Sequence, residues 1–298
     1  MIRELFTVII VLLTIFIAGT VDAQTKSALS GSALNTIASS ENDVIKILGI
    51  DSTAFPKIKV TIFINKLCAQ SGKLKKENLN VMENGDNVTI DNFYFTRTSS
   101  GRMLDLAIVF DDTGSMGDKI SAMKSKIDDL TNNIKTAGID ARYSLVSFKD
   151  NVSIKSRWTN DTISFKKQVN TLHAEGGGDE PEDSLDAIES VLSLGFRPKA
   201  QKVILVITDA HAHYRDDGSG FSKYTKEDVT KDLKDSGAIF IPVTPTFYES
   251  SKYVNLREIA NEIQSMWIDI GSAGFSTILE QFKEIITGSY VIEYTSYE

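Results

Sequence analysis

Two stretches, 104–110 and 203–208, constrain this chain more than any other part of it, because they are apolar almost throughout and do not alternate. A strand that reads this way is covered on both faces, which requires helices packed on either side of its sheet. The intervening sequence supplies them. Helical patterns at 118–137, 164–174, 183–194, 225–236, 254–264 and 275–287 alternate with strand-like segments at 142–148, 152–158, 238–243 and 266–270. The expected architecture is an α/β fold with a doubly wound, mostly parallel sheet. Such sheets bind ligands outside the carboxyl ends of their strands, so the loops at that edge are where chemistry is expected.

Before residue 101 the pattern differs. Ile58, Val60, Ile62 and Ile64 alternate with Lys57, Lys59 and Thr61, marking a half-buried strand. Segments 79–82 and 88–90 flank the hairpin turn Asn84, Gly85 and Asp86, and 93–98 adds a further strand. The result is a small all-β unit over 51–100, too small to be comfortable alone. The last strand-like segment, 290–295, has no helix after it and is expected to return across the α/β domain and join that unit, completing a β-sandwich-like flank. Residues 24–50, rich in Ser, Ala, Thr and Asn, read as a linker or arm. The apolar run 5–19 is about 15 residues long, short of the roughly 20 a bilayer needs. Val21, Asp22 and Ala23 follow it as a cleavage site, so 1–23 reads as a signal peptide. The expected layout is signal peptide 1–23, arm 24–50, β unit 51–100, α/β domain 101–288 and returning strand 289–298. Such a protein is secreted or held in the cell envelope, with no membrane span in the mature chain. With one cysteine, Cys68, there is no internal disulfide, and the fold rests on its core.

A net charge of −8 and the absence of any basic run argue against a nucleic-acid partner, which needs a basic face to neutralise phosphates. Three loops at the carboxyl edge are instead rich in oxygen ligands. The first carries Asp111, Asp112, Thr113, Gly114, Ser115 and Met116; the second runs from the glycines 176–178 through Asp179, Glu180 and Pro181 to Glu182; the third carries Thr208, Asp209 and Ala210. Gathering Asp111, Glu182 and Asp209 without a counter-ion costs several kcal/mol of like-charge repulsion, and no lysine or arginine lies within these loops. A hard divalent cation resolves the conflict, with Thr113 and Ser115 adding neutral oxygens. Asp112, at the unconstrained position of the first loop, is expected to face solvent.

The spacing of Asp111, Thr113 and Ser115, followed by Met116, resembles the metal-ion-dependent adhesion site of von Willebrand factor A domains, and Thr208 and Asp209 at the end of an apolar strand resemble the family's third loop. The middle loop, Gly-Gly-Asp-Glu-Pro-Glu, looks like the integrin β, bacterial and hemicentin-like subtype. The resemblance implies the family's Rossmann-like fold and a bound Mg²⁺ (or Mn²⁺ or Ca²⁺). Thr113 and Ser115 would ligate directly, Asp111 and Asp209 partly through water. Glu182 would face the metal, and Asp179 would support it or hold a neighbouring cation. It also implies binding without turnover: the metal accepts an Asp or Glu carboxylate from a protein partner, and movement of the last helix tunes affinity. Integrin β chains carry two acidic residues just after the first motif, where this chain has Asp118 and Lys119, so a full adjacent site is not expected.

Two other classes compete with adhesion. A metal-dependent hydrolase would use Asp209 with His211 and His213, but no third histidine is suitably spaced, and both are expected at the polar rim of the binding face. A structural subunit of a surface assembly would carry the same loops without using them. Asp216 and Asp217 read as a solvated turn. The glycines at 176–178 lack the Gly-Lys-Ser/Thr ending of a phosphate loop and precede acids, which excludes that reading.

Overall fold

The computed structural model describes residues 11–15, 45–64, 75–96, 101–247 and 252–297. Cys68, most of the expected leader and the arm up to residue 44 lie outside the described residues. The β unit contains β1 (Val11–Ile15), β2 (Ile45–Ala54), β3 (Lys57–Ile64), β4 (Leu79–Glu83), β5 (Asp86–Val88) and β6 (Ile90–Phe95). The turn between β4 and β5 uses Asn84 and Gly85, both at positive φ, as the hairpin reading requires. Downstream come β7 (Met103–Asp111), α1 (Gly117–Thr136), β8 (Asp140–Phe148), β9 (Val152–Thr159), α2 (Thr162–Asn170), α3 (Ser184–Ser193) and β10 (Gln201–Ile207). The chain then runs through α4 (Lys226–Ser236), β11 (Ile239–Thr244), α5 (Leu256–Glu262), β12 (Ile268–Asp269), α6 (Phe275–Thr287) and β13 (Tyr290–Thr295).

The central sheet has six strands in the order β12-β11-β10-β7-β8-β9. All neighbours are parallel except β9, which runs antiparallel to β8. Both faces are covered, as the apolar strands require. Leu104, Leu106, Ile108 and Phe110 of β7 pack toward α1, α2 and α6. Ala107 and Val109 pack toward α3, α4 and α5. From β7 the chain crosses to β8 on one side and later to β10 on the other. The topological switch point therefore lies at the carboxyl end of β7, where Asp111 sits.

β13 leaves α6 and inserts antiparallel between β3 and β6, giving a sheet in the order β2-β3-β13-β6. A second sheet, β1-β4-β5, packs on it through a shared core that includes Val60, Ile62, Val81, Ile292 and Tyr294. Val11–Ile15, inside the apolar run read as a signal, pairs with β4 in this sheet, so removal of the leader would uncover that edge. The arm reading of 24–50 is wrong from residue 45 on, because those residues begin β2. A shift of register between Ile47 and Gly49 breaks the alternation there and turns Leu48 into the core of the α/β domain. Ser265 Oγ sits between the carbonyl oxygens of Leu48 (2.6 Å) and Phe240 (2.5 Å), tying β2 to the central sheet. Gly237 ends α4 in the left-handed conformation (φ 64°), and a Cβ there would lie 2.5 Å from Asp51 Oδ1, so the same contact requires glycine twice over. Among the described residues no helix is long and apolar enough to cross a membrane.

Candidate functional site

The three acidic loops meet at the switch point, and their hydroxyls are what organise them. Asp111 is fully buried at the end of β7. Its Oδ1 accepts hydrogen bonds from the backbone N–H of Thr113 (2.9 Å) and from the Thr113 hydroxyl (2.6 Å), and its Oδ2 accepts one from the Thr208 hydroxyl (2.6 Å). The Ser115 hydroxyl donates to Asp209 Oδ1 at 2.9 Å, and Thr113 Oγ1 lies 3.3 Å from Ser115 Oγ. The adjacent hydroxyls of Thr113 and Ser115 thus give their protons to carboxylates and keep lone pairs free toward the cleft. The open cleft beside them, about 420 Å³, is lined by Thr113, Ser115, Gly177, Asp179, Glu182 and Asp209 among others.

Backbone hydrogen bonds stitch the loops into one surface. Gly114 N–H donates to Gly176 O (3.1 Å) and Glu175 N–H to Asp112 O (3.1 Å), joining the first loop to the second. Glu182 N–H donates to His211 O (2.9 Å) and His213 N–H to Glu182 O (3.0 Å), joining the second to the third. Gly177 adopts φ 95°, and a Cβ on it would stand 3.1 Å from Glu182 Oε1 and 3.2 Å from Thr113 Cγ2. Glycine is what lets the backbone pass this close to two of the site's side chains.

The electrostatics are those of acids lacking enough counter-charge. Glu182 is only 3% exposed and its Oε2 has no hydrogen-bond partner among the described residues. Burial, and then the nearby carboxylates of Asp111, Asp150, Asp179 and Asp209, push its pKa up to about 8. Burial also raises the pKa of Asp111, against the lowering effect of the Thr113 and Thr208 hydrogen bonds.

Several expectations are corrected. Lysines do reach these loops: Lys119, from the first turn of α1, places Nζ 3.6 Å from Asp209 Oδ2. Lys149 donates to the Glu175 carbonyl and lies 4.0 Å from Asp112. Asp112 is buried, not solvated, because it turns toward Ser147 and Lys149 under the second loop. His213 is not at the rim either. Ala212 is bridged on both sides, to Glu182 and to Val254, so 211–213 is a covered segment. His213 is fully buried, with Nδ1 2.5 Å from Asp217 Oδ2 and Nε2 3.5 Å from Asp179 Oδ2. Asp217 is correspondingly buried, accepting from Ser219 and Tyr214 as well. His211 stays near the mouth, stacked on Phe247 with ring centres 3.7 Å apart and 3.6 Å from Glu180. Sequence reasoning missed Asp150, whose Oδ1 accepts from Gly178 N–H at 3.4 Å. Its position just past the strand 140–148, at the same sheet edge, was the available signal.

Behind the site, α3 buries further acids. Asp183 is pushed up to about 8 by burial and by Asp186. Glu189 is pushed up to about 7 by burial and by Asp232, Asp186 and Asp228, and its Oε1 has no partner among the described residues. The folded-state pKa of Glu189 lies above its unfolded value, so the unfolded chain ionises first. Stability therefore falls as pH rises from about 4.5 to about 7 and then levels off. Glu189→Gln should remove that component, gaining about 3 kcal/mol at pH 8 and nothing at pH 4. Urea unfolding across this range checks it; a variant with an unchanged pH profile contradicts it.

Residues 105–231, from β7 into α4, match the von Willebrand factor A domain family. The chain is 40% identical over 106 residues to human von Willebrand factor A domain-containing protein 7, covering 35% of this chain and 12% of that protein. It is 28% identical over 126 residues to the alpha-protein kinase vwkA of Dictyostelium discoideum, covering 40% of this chain and 20% of the kinase. The chain thus spans a fifth or less of these relatives' own length. Among solved structures, proximal thread matrix protein 1 of the mussel byssus aligns with a TM-score of 0.49 at 15% identity, covering 66% of this chain and 49% of that one.

Proposed function

We propose that the A-type domain at 105–231 and its flanking strands form a recognition module that works outside the cytoplasm, without catalysis. Its cleft holds a Mg²⁺ ion (or Mn²⁺ or Ca²⁺), and the ion takes an Asp or Glu carboxylate from a protein partner. The observation that carries this reading is the pair of hydroxyls, Thr113 and Ser115, hydrogen-bonded to Asp111 and Asp209 beside the unpartnered Oε2 of Glu182. Among the described residues no group of three His, Cys, Asp or Glu side chains could hold a metal by itself. The donor set therefore depends on the hydroxyls, and it suits a hard cation, not a soft one. Thr113, Ser115 and Glu182 would hold the ion directly, and Asp111 and Asp209 would orient the hydroxyls and balance its charge. Bound there, the ion supplies an electrophilic position for a carboxylate oxygen. Asp179, held near His213, would border the site on the Glu182 side.

The competing hydrolase reading has no supporting geometry. The ring nitrogens of His213 face Asp217 and Asp179, and His211 is stacked on Phe247, so neither histidine is paired with Asp209. The experiment that tests the adhesion reading is capture of partners from the native surface on immobilised protein. Mg²⁺ should support capture, whereas chelator and Asp209→Ala should each abolish it while circular dichroism shows the fold retained. Equal capture in all conditions would overturn metal-bridged recognition.

A further inference from the structure

We infer that Lys119 is a built-in competitor for the cation, an ammonium group that occupies the charge of Asp209 and sets how tightly the cleft holds metal. The observation is the pairing of Lys119 Nζ with Asp209 Oδ2 at 3.6 Å, while Asp209 Oδ1 accepts the Ser115 hydroxyl. One carboxylate thus carries both the internal cation and the hydroxyl expected to ligate the external one. The position of Lys119 is unusual for a lysine. It lies in the first turn of α1, where the exposed N–H groups and the helix dipole disfavour positive charge. The contact with Asp209 offsets that penalty. The side chain is about a quarter exposed, so it has an open path to solvent. A flexible four-carbon stem can swing outward when a divalent ion arrives.

This inference rests on the metal-binding reading above, and calorimetry with MgCl₂ separates the two. Lys119→Met should tighten Mg²⁺ binding about tenfold, the size expected for removing one partly screened like charge. Lys119→Arg, which keeps the charge, should bind Mg²⁺ within about twofold of the wild type. Chemical denaturation without metal supplies a second readout, since Lys119→Met must remain folded for the comparison to count. Binding by Lys119→Met alone, with none by the wild type, would show the lysine blocking the cleft outright and supports the inference. Equal or weaker Mg²⁺ binding by a folded Lys119→Met overturns it and leaves the metal reading intact. No binding by any of the three proteins overturns the metal reading and the inference together.

Discussion

Replacing Asp105 with alanine is expected to destabilise the protein by about 3–5 kcal/mol, the cost of leaving buried charges without their partner. Asp105 is fully buried on β7, at the end of the sheet opposite the cleft. Burial alone would raise its pKa, but hydrogen bonds from Arg142 and Arg197 outweigh this and hold it below the usual carboxylate range. Arg142 donates to both carboxylate oxygens, at 3.1 and 2.6 Å, and Arg197 adds its backbone N–H (2.7 Å) and Nε (2.8 Å). The same Arg197 donates to the carbonyl oxygens of Leu104 and Asp140 at 2.9 Å each. One carboxylate thus fastens β7, β8 and the segment before β10. In the variant Arg142 loses its carboxylate and Arg197 keeps only Asp140 (2.8 Å) and the two carbonyls, and neither guanidinium can lose its proton in compensation. A fall in the urea midpoint at constant m-value would register the loss. A change below about 1 kcal/mol would mean the network is solvated and carries little.

Much of this architecture was legible in the sequence, for identifiable reasons. The strands at 103–111 and 201–207 had to be covered on both faces because Leu106, Ala107, Ile108 and Val109 leave no polar side to expose. The returning strand 290–295 was legible because it had no helix to follow it and the β unit lacked strands. The three loops of the cleft were found because topology places them together whatever their side chains do. What escaped depended on contacts between distant segments. The strand at 45–54 was hidden by a register shift that sends Leu48 into a different core. The Lys119–Asp209 pair joins residues 90 positions apart, and no periodicity announces it. Asp112 and His213 read as surface residues because polar side chains in loops usually are. Here the second loop and the 211–213 bridge cover them.

The second large effect is expected at Asp111. Asp111→Asn keeps the shape of the side chain but replaces one of two accepting oxygens, Oδ1 (from the Thr113 N–H and hydroxyl) or Oδ2 (from the Thr208 hydroxyl), with an NH₂ group that must donate. Either the Thr113 or the Thr208 hydroxyl must then turn, and the negative charge that would stand behind the proposed ion is lost. Groups that orient metal ligands from behind typically govern affinity by 10–100-fold, and here charge and orientation go together. The loss in Mg²⁺ affinity should reach about a hundredfold, equivalent to about 2.7 kcal/mol. Because Asp111 is buried and its neighbours are pushed toward neutrality by crowding, the variant need not be less stable than the wild type without metal, which separates loss of binding from loss of fold.

On the proposed function, hydroxyls and acids from three loops at the carboxyl edge of the central sheet would share one cation. Isothermal titration of the folded wild type with MgCl₂ tests it most directly, set beside the same titration of Asp111→Asn. One Mg²⁺ per chain in the wild type, weakened about a hundredfold in the variant, is the expected result. No saturable binding by either the wild type or Lys119→Met, or equal binding by the wild type and Asp111→Asn, would contradict the account.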